Sequence, residues 1–380
     1  MSKPFIHLVL FLSRATPLGR WEQMGILIRE LAVYRNLFGW IYKFSIVTCG
    51  GRAELSYQEH IPGAQILYNR WNLSPNAYSI LAPWLHASHL RQATLYKTNQ
   101  LDGAWSAILS GKIFHKPVIV RAGYLWAETN RLVGNRGIKT SFIDRLQAFS
   151  ISQADALVLT TEAIQKYINQ IHPITSKKTF IIPNAVDIDT FKLIEGVKQV
   201  PGQICFVGRL VALKNIDVLI EALSSIPGTQ LVVIGEGEEQ QKLIKLAHLK
   251  QLDVHFLGQI PNDRIPIVIN HSQLFVLPSS SEGNPKALIE AMACGAAVIG
   301  ADVPGIREII KHGKTGWLSS PDIETLRNDI KFLLSNPALC SELGKNARQF
   351  IIENFSLEHI TQLEKFVIKQ TIQGFYGRFP

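Results

Sequence analysis

The run Ser281-Glu282-Gly283-Asn284-Pro285-Lys286-Ala287-Leu288-Ile289-Glu290 sets two carboxylates on either side of what reads as a helix start. The apolar stretch Leu274-Phe275-Val276-Leu277 ends at Pro278, small residues follow to Gly283, and Pro285 fits a first helical position. Free amides at such a start form an anion site suited to a diphosphate. Glu282 falls in the loop before the helix, and Glu290 lies about one and a half turns into it. On a nucleotide-sugar, such carboxylates could accept from sugar hydroxyls on one side of the phosphates and ribose hydroxyls on the other. The plainer alternative is a pair of solvated charges favoured by the helix macrodipole.

Arg209 and Lys214 follow another apolar run, Gln203-Ile204-Cys205-Phe206-Val207, which ends at Gly208. Taken alone they could be a surface pair. Near a diphosphate, Arg offers a planar fork and Lys a point charge. Two further patterns carry less. Gly235-Glu236-Gly237 lacks the third glycine of a dinucleotide fingerprint and would aim acids at a pyrophosphate. Asp187-Ile188-Asp189 has metal-ligand spacing, but three residues are weak grounds, and no metal or other cofactor is expected.

The elements that must position these residues alternate. In the second half, short apolar runs at 203–207, 231–234, 254–257, 274–277 and 297–299 alternate with helical stretches, which predicts parallel βαβ units. Continuously apolar strands fit a sheet covered on both faces. The first half is less regular, with strands expected at 5–12, 43–48, 64–68, 118–121, 156–159 and 179–182 and helices at 22–35 and 138–153. The fold class is therefore α/β, with two doubly wound Rossmann-like domains facing across a cleft and ligands at the carboxyl ends of the strands. The expected divisions are 1–190 for the first domain, 200–353 for the second, and 354–380 for a last helix.

The run from Ser281 to Glu290, followed by Ala291-Met292-Ala293-Cys294-Gly295, resembles the E-x7-E signature of retaining GT-B glycosyltransferases of group 1, or family 4. The resemblance extends through Phe206-Val207-Gly208-Arg209-Leu210, Lys214-Asn215, Gly235-Glu236-Gly237, Leu257-Gly258, Pro304-Gly305-Ile306-Arg307-Glu308 and Gly313-Lys314-Thr315-Gly316-Trp317. It covers about residues 180–330 specifically and the first half in outline. It implies a cationic clamp of Arg209 and Lys214 on the pyrophosphate of a nucleotide-sugar, with Glu282 orienting the sugar. Residues Gly208, Gly283, Asn284, Pro285, Lys286, Ala287, Leu288 and Glu290 would also meet the sugar donor. It also implies that the last helix crosses back to the first domain, with apolar Ile360, Leu363, Phe366 and Val367 as one stripe.

The first half departs from the family pattern. Where members often carry a glycine pair after the first strand, Thr16-Pro17-Leu18-Gly19-Arg20 keeps only Gly19 for approach to the sugar donor. Where many have a histidine after a central strand, this chain reads Arg121-Ala122-Gly123-Tyr124. Arg121 and Tyr124, with Asn99, are the candidates on the acceptor side. Trp105 reads as core.

Composition sets the outer limits. The 380 residues are 47% hydrophobic and 18% charged, so a buried core is expected and disorder is not. Four scattered cysteines argue against a disulfide framework and fit a reducing cytoplasm. No apolar run is long enough to span a bilayer, and the start lacks a signal-peptide cleavage pattern. Residues 1–185 hold 20 Lys/Arg against 9 Asp/Glu, while the remainder holds 19 against 21. Without a nucleic-acid motif, that excess points to an anionic membrane surface or a lipid-linked acceptor, with Arg14, Arg20, Arg29, Arg131, Arg136, Lys139 and Arg145 as contributors. The plainer alternative is scattered surface charge on a protein with a soluble acceptor. The expected activity is retaining transfer of a sugar from a nucleotide-sugar to a carbohydrate or lipid-linked hydroxyl. A sugar-nucleotide epimerase of the same fold, or a non-catalytic nucleotide-sugar-binding protein, is the alternative.

Overall fold

A computed structural model describes residues 5–123, 138–171 and 178–379. The chain divides into two compact units, one formed by Met1–Pro183 with Ile360–Pro380 and the other by Asn184–His359. Each is built on an all-parallel sheet. The first has seven strands: β1 (His7–Phe11), β2 (Lys43–Val47), β3 (Gln65–Leu67), β4 (Leu95–Thr98), β5 (Val118–Ala122), β6 (Ala156–Leu159) and β7 (Lys178–Ile181). Their order is β3-β2-β1-β4-β5-β6-β7. The second has six: β8 (Gln203–Val207), β9 (Gln230–Ile234), β10 (Asp253–Gly258), β11 (Leu274–Leu277), β12 (Ala297–Ala301) and β13 (Trp317–Ser319), in the order β10-β9-β8-β11-β12-β13.

The central strands are buried along their whole length, as the unbroken apolar runs require. Edge strand β10 is the exception. It alternates exposed and half-buried residues, Val254 and Phe256 packing against the core while Asp253, His255 and Leu257 face outward.

Several elements differ from the sequence expectation. The single helix expected at 22–35 is two, Leu18–Gln23 and Leu27–Phe38. They are separated where Gly25 takes a φ of 64°, a conformation that ends helices and costs glycine nothing. Strand β4 was not foreseen, because Leu95-Tyr96-Lys97-Thr98 carries a lysine at its centre. That lysine has no exposed surface and is neutralised by Glu364 from the last helix. Strand β13 was also missed, being only three residues long.

The last helix, Leu357–Tyr376, follows a break at Ser356, whose Oγ accepts from the His359 N–H. Its buried stripe is rotated from the one expected. Ile360 and Val367 are buried, but Phe366 is 52% exposed, and Thr361, Glu364, Ile368 and Thr371 face inward. The inward polar residues have partners: Glu364 meets Lys97, and Thr371 donates back to the Val367 carbonyl at 2.8 Å.

Candidate functional site

The second sheet reverses its strand order between β8 and β11, and ligands of open parallel sheets gather beyond the carboxyl ends of strands at such a reversal. The loops leaving those two strands, residues 208–215 and 278–285, are stitched to each other. Asn215 Nδ2 donates to the Pro278 carbonyl at 3.1 Å, and the Ser280 N–H donates to the Leu213 carbonyl at 2.9 Å. Lys214 forms an ion pair with Glu282, the two side chains being 19% and 11% exposed. Asn215 makes the turn with a φ of 49°, in the left-handed region that asparagine visits more readily than most residues.

On the other side of the Glu282 loop lies the helix Pro304–Arg307. A Cβ on Gly305 would fall 2.1 Å from the Glu282 carbonyl and 2.2 Å from that of Gly283, so only glycine permits the approach. Asn284 is buried and clamps the segment that enters this unit. Its Oδ1 accepts from the Asn184 N–H, and its carbonyl accepts from Asn184 Nδ2, both at 2.7 Å. The loop bearing Glu282 is therefore fixed at both ends.

The helix that follows runs Lys286–Ala293. Pro285 stands in front of it in an extended conformation, φ −71° and ψ 109°, one residue earlier than its expected place inside the helix. Lys286 and Ala287 are half-buried, whereas Leu288 is fully buried in the hydrophobic core and supports the helix from beneath. Glu290 is 2% exposed. Its charge adds to burial in pushing the neighbouring Cys294 thiol above its ordinary pKa.

Arg209 is exposed, and Gly208 gives its N–H to the Ile234 carbonyl at 3.0 Å. The glycines of Gly235-Glu236-Gly237 have a packing reason. Cβ atoms there would fall 2.0 Å from the Gly208 carbonyl and 2.2 Å from the Leu210 carbonyl. Asp187 accepts from the Asp189 N–H and from Thr190 Oγ1, each at 3.0 Å, and so caps its own turn.

In the first unit the strand order reverses between β1 and β4. Beyond them, Ser13 Oγ donates to Asn99 Oδ1 at 3.2 Å, and Arg14 Nε pairs with Asp102 Oδ1 at 3.2 Å. Gly19, expected to offer its backbone to a phosphate, already gives its N–H to Glu54 Oε1 at 3.0 Å. The Leu18 N–H and the Thr48 hydroxyl donate to Glu54 Oε2 at 2.8 and 2.7 Å, and Glu54 is only 4% exposed. An internal carboxylate occupies that amide pair. Arg121 lies 3.6 Å from Glu364 Oε1, and its Nη2 donates to the Pro183 carbonyl at 3.5 Å. It is tied to the last helix of its own unit. Tyr124, Arg131 and Arg136 lie outside the described residues, as does the side chain of Lys139.

The profile described as "Glycosyl transferases group 1" matches residues 187–350, and that described as "Glycosyltransferase Family 4" matches residues 38–190. Residues 187–350 belong to the group 1 glycosyltransferases. Among curated relatives, an uncharacterized glycosyltransferase of Methanocaldococcus jannaschii is 26% identical over 58% of the chain and 59% of the relative. The D-inositol 3-phosphate glycosyltransferase of Gordonia bronchialis is 29% identical over 60% of the chain and 55% of the relative. The match thus spans little more than half the length of either. Among solved structures, the sucrose-phosphate synthase of Thermosynechococcus elongatus superposes with a TM-score of 0.81 at 21% identity, covering 97% of this chain and all of that one. HepE of Anabaena, solved in complex with UDP, gives 0.75 at 20% identity, covering 95% and 99%. The two Rossmann-like sheets of this chain have the GT-B fold.

Sequence reasoning did not find Glu54, Asp102 or the Lys97–Glu364 pair. Local spacing carries no signal for them, since each acts on a residue 35 or more positions away.

Proposed function

We propose that the chain is a retaining, metal-independent glycosyltransferase that moves a sugar from a nucleotide-sugar to an acceptor hydroxyl. The observation that carries this reading is the stitched pair of loops at the β8/β11 reversal, which holds Lys214 against Glu282 and carries exposed Arg209 in the same 208–215 segment. Arg209 and Lys214 bind the diphosphate and stabilise it as it leaves, an electrostatic role for preorganised charge. Glu282 orients the sugar ring and Glu290 accepts from ribose hydroxyls. The departing phosphate takes the proton of the incoming hydroxyl on the same face of the sugar, which preserves the anomeric configuration.

The acceptor is a carbohydrate or lipid-linked hydroxyl, and the work is done in the cytoplasm at an anionic membrane face. No helix among the described residues is long and apolar enough to cross a membrane. The helix Pro75–Leu85 leaves Ile80, Leu81 and Trp84 exposed, in the half of the chain that carries the positive excess. Exposed aromatic and aliphatic side chains suit the headgroup region of a bilayer.

A thermal-shift screen against nucleotide-sugars tests the reading, because a ligand that binds only the folded state raises Tm. UDP-glucose is included because the Anabaena neighbour has been solved with it. A sugar donor found this way should release free nucleoside diphosphate only when acceptor is present, and the product should keep the anomeric configuration of that donor. Absence of a shift across the panel, or acceptor-independent conversion of the sugar, would rule out transfer.

A further inference from the structure

At the amino ends of the strands of the second sheet, opposite residues 208–215 and 278–285, there is a cavity of about 790 Å³. Its floor is the start of β11 at Leu274 and the start of β12 at Ala297, and its wall is the helix Pro337–Phe355. The volume falls in the range of small-molecule sites. The strands separate it from the loops assigned to the sugar donor, so it is not a subsite of the proposed transfer reaction.

The lining has a definite chemistry. Two cations, Lys345 and Arg348, face the cavity, and no carboxylate does among the described residues. That imbalance occurs in the half of the chain where acids outnumber bases. Among the described residues Lys345 has no carboxylate partner, and it lies exposed at the cavity. Four amide side chains, Gln199, Gln273, Asn346 and Gln349, add both donors and acceptors. Gln273 spends its Oε1 on the Gly202 N–H at 2.6 Å, which leaves its amino group for a ligand. No aromatic ring lines the cavity among the described residues, so they offer nothing on which a nucleobase would stack.

We propose that this cavity binds a small phosphorylated, hydroxyl-rich molecule, with Lys345 and Arg348 taking the phosphate and the amides taking the hydroxyls. A hexose phosphate has this chemistry and a nucleotide has it only in part. Arg348 also donates to the carbonyls of Ala293 and, at 3.2 Å, of Phe191. Ala293 is the last residue of the helix that contains Glu290. An occupant that engages Arg348 thus touches the far end of that helix.

Cys340 lines the same cavity and gives a direct readout. Its thiol is half-buried, donates to the Leu333 carbonyl at 3.2 Å, and is pushed above its ordinary pKa by burial. Labelling by iodoacetamide at alkaline pH, followed peptide by peptide, reports on it alone. Glucose 6-phosphate should slow Cys340 labelling about tenfold at concentrations on the order of 10 mM, inorganic phosphate less, and neutral glucose not at all. AMP should protect less than the sugar phosphate. In Lys345→Gln the protection should disappear, and in Lys345→Arg it should return. Unchanged labelling with every probe would overturn the proposal. So would equal protection by glucose, or full protection in Lys345→Gln. Lys345 lies outside the proposed transfer machinery, so a nucleotide-sugar thermal shift retained in Lys345→Gln separates failure here from failure of the transferase reading.

Discussion

The Lys97 ammonium has no exposed surface and meets the Glu364 carboxylate, 267 positions further along the chain, inside the first unit. Burial alone pushes the Lys97 pKa down, and the charge of Glu364 opposes that. Arg121 approaches the other oxygen of Glu364. The last helix is therefore held to two strands, β4 and β5, by an ionic contact whose Lys97 and Glu364 are buried.

Removing one member of that contact leaves an uncompensated buried charge, which costs about 3–5 kcal/mol. Glu364→Ala should lower the unfolding free energy by that amount in urea titrations. Lys97→Met combined with Glu364→Leu should recover most of the loss, because apolar residues of similar size often replace a buried pair without penalty. An unchanged midpoint in Glu364→Ala would show that the pair contributes nothing.

Glu290→Gln keeps the shape of the side chain and weakens a charge-assisted hydrogen bond, which contributes about 1.5–3 kcal/mol. Affinity for the sugar donor should fall roughly 10- to 100-fold by titration calorimetry. Arg209→Ala should lower turnover by about two to three orders of magnitude with little effect on Tm, since Arg209 is exposed. Activity should survive EDTA. Loss with EDTA and rescue by Mn²⁺ would transfer the diphosphate to a metal.

Glu54 satisfies two backbone amides and a hydroxyl from a buried position. Glu54→Ala strands those donors at about 1–3 kcal/mol for each that water cannot reach. Gly50→Ala should act in the same direction, because a Cβ there would sit 2.5 Å from Glu54 Cδ. Both should raise hydrogen exchange at Leu18 and Gly19. Protection equal to wild type at these amides would mean that Glu54 is dispensable to the loop.

Two buried histidines predict acid sensitivity. Burial, helped by Lys43, lowers the pKa of His7 to about 4, and burial with His89 and Arg70 does the same for His86. Each is neutral in the folded chain, while the unfolded chain takes up a proton near pH 6.5. Stability is therefore present above pH 6.5 and is lost as pH falls towards 4, by about 3 kcal/mol for each group at most. His7 Nε2 and Ser45 Oγ are hydrogen-bonded at 2.8 Å, so His7→Gln is the gentler replacement. Unfolding free energies that stay flat from pH 6.5 to 4 in the wild type would contradict both assignments.

Much of the fold was legible because its signals are local. Apolar runs such as Phe206-Val207 and Phe275-Val276-Leu277 mark buried parallel strands wherever they sit in the chain, and the run from Ser281 to Glu290 carries its family resemblance in consecutive residues. The stitching of Lys214 to Glu282 was only implicit, since it depends on β8 and β11 lying side by side at a reversal of strand order. Strand β4 was hidden because a lysine reads as surface until its partner is known. The same limit applies to Glu54 on the Gly19 amide, to Arg121 beside Glu364, and to the cavity between β11, β12 and the helix Pro337–Phe355. Sequence periodicity records which face of an element is apolar. It does not record which polar group 35 or 267 residues away will be brought against that element, because only the packed chain fixes that distance.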